Sequence, residues 1–277
     1  MEQLKQFDRI NDCANLKHTQ RYAITFGEVA ILHVGGKEIG NGRRDHGFSV
    51  GELRIIKEQF GTYGELVMLS DNLPENLRSE NEAAILIIRN GANILLQDKW
   101  AKNKLFMEQQ ADVVYDNKYW DNRRSATLNK RARRNTVFGE TDVAHSDDYK
   151  QCSVNGFGRL TYLNRIRSAL STYLGPKANN LNAEGNWYFE DKSGLGFHGD
   201  AERKIVICLS LGTTATLRYC WRMPGTSVKY GDPIDITVNH GDIYVMSEKA
   251  TGYDWRCRSK VRVVHAAGHV KYITHKE

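Results

Sequence analysis

The sequence has 277 residues, 40% of them hydrophobic and 26% charged, with a formal net charge of +6. This length and composition fit a globular protein of one large domain or two smaller ones, and no segment approaches the ~18 consecutive apolar residues of a membrane span. The first residues lack the basic-then-apolar pattern of a secretory signal, so we expect an intracellular protein, cytoplasmic or nuclear.

Residues 1–113 are predicted to form a separate α+β unit. Alternating apolar residues over 21–33 predict strands. Ser49, followed three residues later by Glu52, has the pattern of a capping box, which predicts that a helix begins there. Residues 65–69 are predicted to form another strand.

The end of this unit carries the pattern of a β-hairpin. Two apolar runs, 83–88 and 92–96, flank the dipeptide Asn90-Gly91, which favours a tight turn between antiparallel strands. The next segment, 100–113, is predicted to be a helix that leads out of the unit.

Positive charge is concentrated between residues 118 and 134. The segment has one acid, Asp121, against seven bases: Lys118, Arg123, Arg124, Lys130, Arg131, Arg133 and Arg134. It therefore carries +6, which equals the net charge of the whole chain. Such a concentration attracts phosphate backbones, so the segment is either a nucleic-acid contact or a solvated basic loop.

Residues 114–277 are predicted to form a second domain, in which one helix precedes a series of strands. Leucines and isoleucines at helical spacing predict a helix over 159–174, which Gly175-Pro176 ends. The pattern then changes to short predicted strands at 186–189, 205–211, 216–221, 234–238, 243–246, 261–266 and 270–274. Such a series is typical of a sandwich or jelly roll, and the predicted fold class of the chain is α+β.

His198 and Asp200 stand two residues apart, just before the apolar run 205–209. Gly199 between them lets the turn tighten, so that both side chains can contact one cation. Two imidazoles and one carboxylate are typical of an iron(II) site that keeps adjacent coordination positions open. The third ligand must come from far downstream, and His265, on a predicted strand, is the best candidate.

Each of these residues also has a structural interpretation. A lone His-x-Asp motif can be a hydrogen-bonded turn, and His265 by itself can be a buried strand histidine. A second motif of this kind, His145 with Asp147, lies in a polar loop that no apolar strand follows. We expect that second pair to be solvated.

Five segments within roughly 125–277 together resemble the catalytic core of AlkB-like iron(II)/2-oxoglutarate dioxygenases, in particular members from large DNA viruses and phages. They are Asn129–Gly139, Asn186-Trp-Tyr188, Gly196-Phe-His-Gly-Asp200, Ile205–Gly212 and Asn239–Met246. The combination is far more specific than any one segment.

The resemblance implies a C-terminal double-stranded β-helix, or jelly roll, with packed helices. It implies that His198, Asp200 and His265 bind iron(II), and that Asn186 and Tyr188 contact 2-oxoglutarate. It also implies a nucleobase substrate in DNA or RNA, reached in a single strand or by base flipping.

The chain departs from the family pattern in three places. The family's last strand has an arginine that binds the far carboxylate of 2-oxoglutarate, where this chain offers Lys271 first, with Arg262 and Lys276 as alternatives. A lysine can bind a carboxylate as a point charge only. The segment 247–260 must be longer than in the family if His265 is the distal ligand, and the N-terminal hundred residues have no counterpart in the family core.

The expected substrate contacts lie in the basic segment. Arg131, Arg133 and Arg134 are expected to contact phosphates, and Trp120 or Tyr119 to stack on a base unless they pack in the core. We therefore predict an oxygenase that hydroxylates or oxidatively demethylates a nucleobase, in repair or programmed modification. The alternatives are the same chemistry on a protein side chain or small molecule, and a non-catalytic jelly-roll protein that binds nucleic acid.

Overall fold

Two β-sheets organise the chain. The computed structural model describes residues 20–30, 38–39, 45–201 and 203–274. In spatial order, the strands of the larger sheet are β4 (Gly64–Met68), β5 (Ala84–Ile88), β15 (Ile243–Met246), β12 (Val206–Gly212), β1 (Arg21–Gly27), β10 (Asn182–Tyr188), β8 (Arg134–Gly139) and β9 (Val154–Gly156). The pairing of β8 with β9 is parallel and the other pairings are antiparallel, so this sheet is mixed.

The second sheet has four antiparallel strands. Their spatial order is β11 (Gly194–His198), β16 (Arg262–Gly268), β13 (Ala215–Arg222) and β14 (Lys229–Val238). Two further pairs stand apart from both sheets, β2 (Val29–Ala30) with β3 (Glu38–Ile39), and β6 (Lys118–Asp121) with β7 (Ala126–Asn129).

Six α-helices accompany the sheets in the described part of the chain. They are α1 (Val50–Phe60), α2 (Glu75–Arg78), α3 (Gly91–Leu96), α4 (Ala101–Ala111), α5 (Thr161–Leu174) and α6 (Val270–Ile273). The predicted capping box is confirmed, since Ser49 Oγ accepts from Glu52 N and the Glu52 carboxylate accepts from Ser49 N. None of the helices described has the length and apolar composition needed to cross a bilayer.

The larger sheet has a different neighbour on each face. On one face, strand residues such as Ile24 and Ile207 share a buried apolar cluster with Leu163, Ile166 and other helix residues. On the other face, residues such as Cys208 and Tyr244 share a second cluster with Leu217 and Val263 of the four-stranded sheet. The molecule is therefore α+β, with helices on one side of the large sheet and a second sheet on the other.

The two predicted units are joined in a single sheet. Strands β1, β4 and β5 come from residues 1–113, yet β1 lies between β10 and β12, and β5 pairs with β15. The large sheet therefore does not divide at residue 113. Residues from both predicted units also share one buried apolar cluster. The strand order follows from pairings between residues far apart in sequence, which local patterns do not reveal.

Two predicted strands are helical in the structure. The hairpin over 83–96 is wrong: β5 ends at Ile88, Asn90 adopts a left-handed conformation, and Gly91 begins α3. Its buried residues Ala92, Leu95 and Leu96 have helical spacing. The predicted strand 270–274 is also wrong, since α6 occupies 270–273 and begins where the His269 side chain accepts from Lys271 N.

Candidate metal centre

His198 and His265 are direct neighbours across two antiparallel strands. His198 is the last residue of β11, and its register partner on β16 is His265. Directly paired residues present their side chains to the same face of a sheet. The two imidazole ring centroids accordingly lie 4.6 Å apart, on the face that looks toward the large sheet.

Asp200 completes a cluster with these two histidines. His198 Nε2 lies 3.5 Å from Asp200 Oδ1, and His265 Nε2 lies 3.9 Å from Asp200 Oδ2. One ligand atom from each residue lies within 4.8 Å of the other two. Donors about 2.1 Å from one ion and at right angles to one another lie about 3 Å apart, so small side-chain rotations bring these three onto one cation.

The turn that carries Asp200 is held by the long segment after β15. A Cβ atom on Gly199 would lie 2.2 Å from Gly252 O and 2.7 Å from Trp255 Cβ, so only glycine allows this approach. Asp200 N donates to Thr251 O at 2.8 Å. The segment 247–260, which the sequence predicts to be long, therefore packs on the metal-ligand turn and fixes its position.

Hydrogen bonding and burial prepare the two imidazoles to act as ligands. His198 Nδ1 lies 2.8 Å from Gly196 O, a carbonyl that can only accept, so Nδ1 carries the proton and Nε2 is free to bind a metal. Burial lowers the pKa of His265 to about 3, and its imidazole is therefore neutral at pH 7. Metal ligation needs this neutral form.

The Asp200 carboxyl is ionised in spite of its burial. Burial by itself favours the neutral acid, but the neighbouring His198, His265 and Arg203 outweigh it and hold the pKa of Asp200 below its ordinary value. Two neutral imidazoles and one carboxylate on one side of a cation form a donor set that suits iron(II). The residues present therefore fit the predicted metal.

The cluster opens into a cavity between the two sheets. The cavity has a volume of about 160 Å³, the share of about five water molecules in the liquid. Val206, Leu217 and Met246 form part of an apolar wall. The polar lining consists mainly of Arg21, Arg133, Glu184, Asn186, Tyr188 and Arg203, together with the three cluster residues.

Asn186 and Tyr188, the residues predicted to contact the co-substrate, both line this cavity. They lie two residues apart on β10 and share one face of the strand, and the partly buried Trp187 between them packs on the helix side. Arg133 Nε donates to Asn186 Oδ1. This arginine, predicted to contact phosphate, therefore lies within the cavity and orients Asn186.

The residues predicted to bind the far carboxylate do not reach the cavity. Lys271 lies exposed on α6, with its Nζ 4.8 Å from the Tyr272 ring centroid. Arg262 is buried, but its guanidinium donates to the main-chain carbonyls of Trp255, Met223 and Thr226. Ala267, the residue of β16 that lines the cavity beyond His265, has no charge with which to bind a carboxylate. Lys276 lies outside the described residues.

The basic segment forms a hairpin and the strand that follows. The turn between β6 and β7 exposes Arg123 and Arg124, and Arg131 is also exposed. Arg134 lies with its Cζ 4.8 Å from the Trp187 ring centroid and 5.1 Å from that of Phe189. Trp120 is partly exposed, with Lys150 Nζ 4.4 Å from its ring centroid.

Three charged residues of the cavity were not predicted from the sequence: Arg21, Glu184 and Arg203. Arg203 is 4% exposed and forms an ion pair with Glu184. The alternation of β10, extended back from Asn186, could have indicated Glu184. No local signal indicates Arg21, because β1 is brought to the cavity only by its pairing with β10 and β12.

Comparison with known proteins finds a viral relative. No protein-family profile matches the sequence. The chain is 36% identical over 257 residues to the uncharacterized protein R156 of Acanthamoeba polyphaga mimivirus, and the alignment covers 90% of this chain and 96% of that protein. The similarity thus extends over almost the whole of both chains.

Proposed function

This chain belongs to the same family as the mimivirus protein R156, and we propose that it is an iron(II)- and 2-oxoglutarate-dependent oxygenase that acts on a nucleobase. One observation carries the proposal. His198, Asp200 and His265 meet at one end of a cavity that Asn186 and Tyr188 also line. A four-stranded sheet against the centre of a larger sheet supports a double-stranded β-helix as the core of the fold.

Each part of the site has a role in this chemistry. Iron(II), when bound, would activate dioxygen, which is the oxidant; 2-oxoglutarate would supply two of the four electrons that reduce it, and the substrate carbon the other two. His198, Asp200 and His265 would hold the metal on one side and leave the positions toward the cavity open. Asn186 and Tyr188 would orient the co-substrate, and the apolar wall at Val206, Leu217 and Met246 would exclude water.

The exposed bases on and after the β6–β7 hairpin support a nucleic-acid substrate. Arg123, Arg124 and Arg131 are exposed, and none of them takes part in an ion pair among the described residues. Solvated cations of this kind bind phosphates with little loss of internal contacts. Because the metal cluster lies in a cavity, a base would have to leave its stack to reach it.

Anaerobic titration tests the chemistry. Fe(II) followed by 2-oxoglutarate should produce a visible charge-transfer band at one metal per chain, and oxygen should then release succinate. His198→Ala should abolish the band. His145→Ala is the matched control, since it removes the histidine of the other His-x-Asp motif, whose Nδ1 contacts Ser146 O and which lies apart from the cluster. Absence of stoichiometric metal binding by the wild-type protein would leave only the non-catalytic alternative.

Salt dependence tests the substrate. Single-stranded oligonucleotides should bind less tightly as salt increases, and reversing three charges (Arg123→Glu, Arg124→Glu, Arg131→Glu) should flatten that dependence by about two to three units of slope. Arg54→Glu, an exposed change on α1, is the control. If the triple variant keeps full turnover and nucleic acid does not bind, the substrate is a protein side chain or a small molecule.

A further inference from the structure

One arginine in the cavity lacks the partners that the fold gives to the other two. Arg21, at the start of β1, is 5% exposed, and its Nε and Nη1 atoms are buried with no hydrogen-bond partner among the described residues. Buried guanidinium N–H groups without hydrogen-bond acceptors are strongly disfavoured. Its presence beside a cavity therefore points to a ligand that supplies the missing acceptors.

The other charged side chains of the cavity each have a partner. Arg133 donates to the Asn186 side chain, and Arg203 forms an ion pair with Glu184. Asp200 belongs to the metal cluster. Three guanidinium groups and two carboxylates thus line the cavity, and a bound divalent cation would add to the positive excess. The cavity is suited to an anion, and Arg21 is the group left to bind it.

The position of Arg21 divides the cavity into two ends. At one end, Thr25 pairs with Glu184, whose partner Arg203 lies near Asp200. At the other end, Arg21 pairs with Tyr188, and its Cζ lies 5.3 Å from the Tyr188 ring centroid. Arg21 and Thr25 are four residue steps apart along the extended strand β1, about 13 Å. A ligand that binds both ends must be elongated, with a metal-binding group at one end and an anion at the other.

Resting on the oxygenase function proposed above, we infer that Arg21 binds the carboxylate of the 2-oxo acid that is farther from the metal, and so selects dicarboxylic over monocarboxylic 2-oxo acids. The planar guanidinium offers two parallel N–H groups, which match a carboxylate in a bidentate pair. Tyr188 packs against the guanidinium and limits its movement. The carboxylate-binding group thus comes from β1, and neither Lys271 nor Arg262 is needed for it.

Ligand selectivity under anaerobic conditions tests this inference without turnover. The titrants are 2-oxoglutarate and 2-oxopentanoate, which has the same carbon chain without the second carboxylate, each added to the Fe(II)-loaded protein. The wild type should prefer 2-oxoglutarate by at least about 30-fold, because a buried charged pair is lost with the analogue. Arg21→Met should remove that preference, and Arg21→Lys should restore part of it.

Metal binding alone separates this inference from the proposed function. Fe(II) affinity without any oxo acid should be unchanged in Arg21→Met, whose thermal unfolding is measured in parallel, and Arg21→Gln serves if the Met variant does not fold. Arg218→Met, which removes an arginine paired with Asp235 outside the cavity, should behave as the wild type. Undiminished preference in both Arg21 variants would overturn the role of Arg21. A wild type that binds Fe(II) but neither oxo acid would instead refute the oxygenase proposal.

Discussion

The two faces of the large sheet differ in what they bury, and β1 shows the difference most clearly. Tyr22, Ile24 and Phe26 belong to the apolar cluster shared with the helices. Arg21, Ala23 and Thr25, the alternate residues of the same strand, line the cavity. The helix side is filled by packing, whereas the side facing the second sheet keeps polar groups whose positions packing does not explain. Packing against the helices and the proposed metal site thus involve opposite faces of one strand.

The largest expected difference is in the free energy of unfolding, between substitutions of two neighbouring residues of β1 that lie on opposite faces. Phe26 is fully buried and stacks on Phe157 at 6.4 Å between centroids, so Phe26→Ala should lower the free energy of unfolding by about 3–5 kcal/mol. Thr25→Ala, one residue away on the cavity face, should cost less than about 1 kcal/mol. Urea unfolding measures both. Equal losses would mean that the two faces contribute equally to stability.

A methyl group added at Gly199, in the turn between His198 and Asp200, should weaken metal binding more than it lowers the free energy of unfolding. Gly199→Ala places a Cβ atom 2.2 Å from Gly252 O, so the turn must shift and Asp200 with it. We expect a metal affinity about 10- to 100-fold weaker by calorimetry, as for other changes that disturb the orientation of ligands. Gly196→Ala is the control, since a Cβ there meets nothing within 4 Å and the carbonyl that accepts from His198 is kept. Similar losses in both variants would contradict the importance of the contact with Gly252.

The smallest expected effect is a pH dependence of stability that arises from Lys130. Lys130 donates to Asn135, which in turn contacts Glu184, and burial lowers the pKa of Lys130 to about 8. In the unfolded chain this lysine keeps its ordinary pKa of 10.5. Below pH 8 the lysine is charged in both states, and burying the ammonium lowers the free energy of unfolding by its full amount. Between pH 8 and 10.5 the unfolded chain binds more protons than the folded protein, so the free energy of unfolding rises with pH.

The comparison with Lys130→Met isolates this group. Between pH 7.5 and pH 10, the wild type should gain about 1–2 kcal/mol of unfolding free energy relative to the variant, after allowance for solvent screening. Chemical denaturation at a series of pH values measures the difference. A constant difference across this range would show that Lys130 titrates normally in the folded protein.

Local pattern was sufficient to predict the elements whose faces are fixed by nearby residues. The helix predicted over 159–174 is α5, and the strands predicted over 205–211 and 243–246 are β12 and β15, because their periodicity matches the faces they bury. The hairpin over 83–96 failed because Asn90-Gly91 also suits the start of a helix. There, Gly91 packs closely on Ile243, a contact between residues far apart in sequence.

The site divides in the same way. His198, Asp200 and His265 were predicted to be close, and their ligand atoms lie together because β11 and β16 pair in register at the two histidines. Arg21 could not be predicted, since residues 1–113 were expected to form a separate unit and its neighbours Tyr188 and Gly212 are distant in sequence. The prediction for Lys271 depended on a strand over 270–274, where the chain forms α6 over 270–273.

Anomalous scattering from crystals grown with Mn(II) or Fe(II) tests the metal site most directly. The site predicts one strong peak per chain, about 2.0–2.3 Å from His198 Nε2, His265 Nε2 and an Asp200 carboxylate oxygen. A peak located elsewhere, for example beside His145 and Asp147, or no peak at saturating metal, would contradict it.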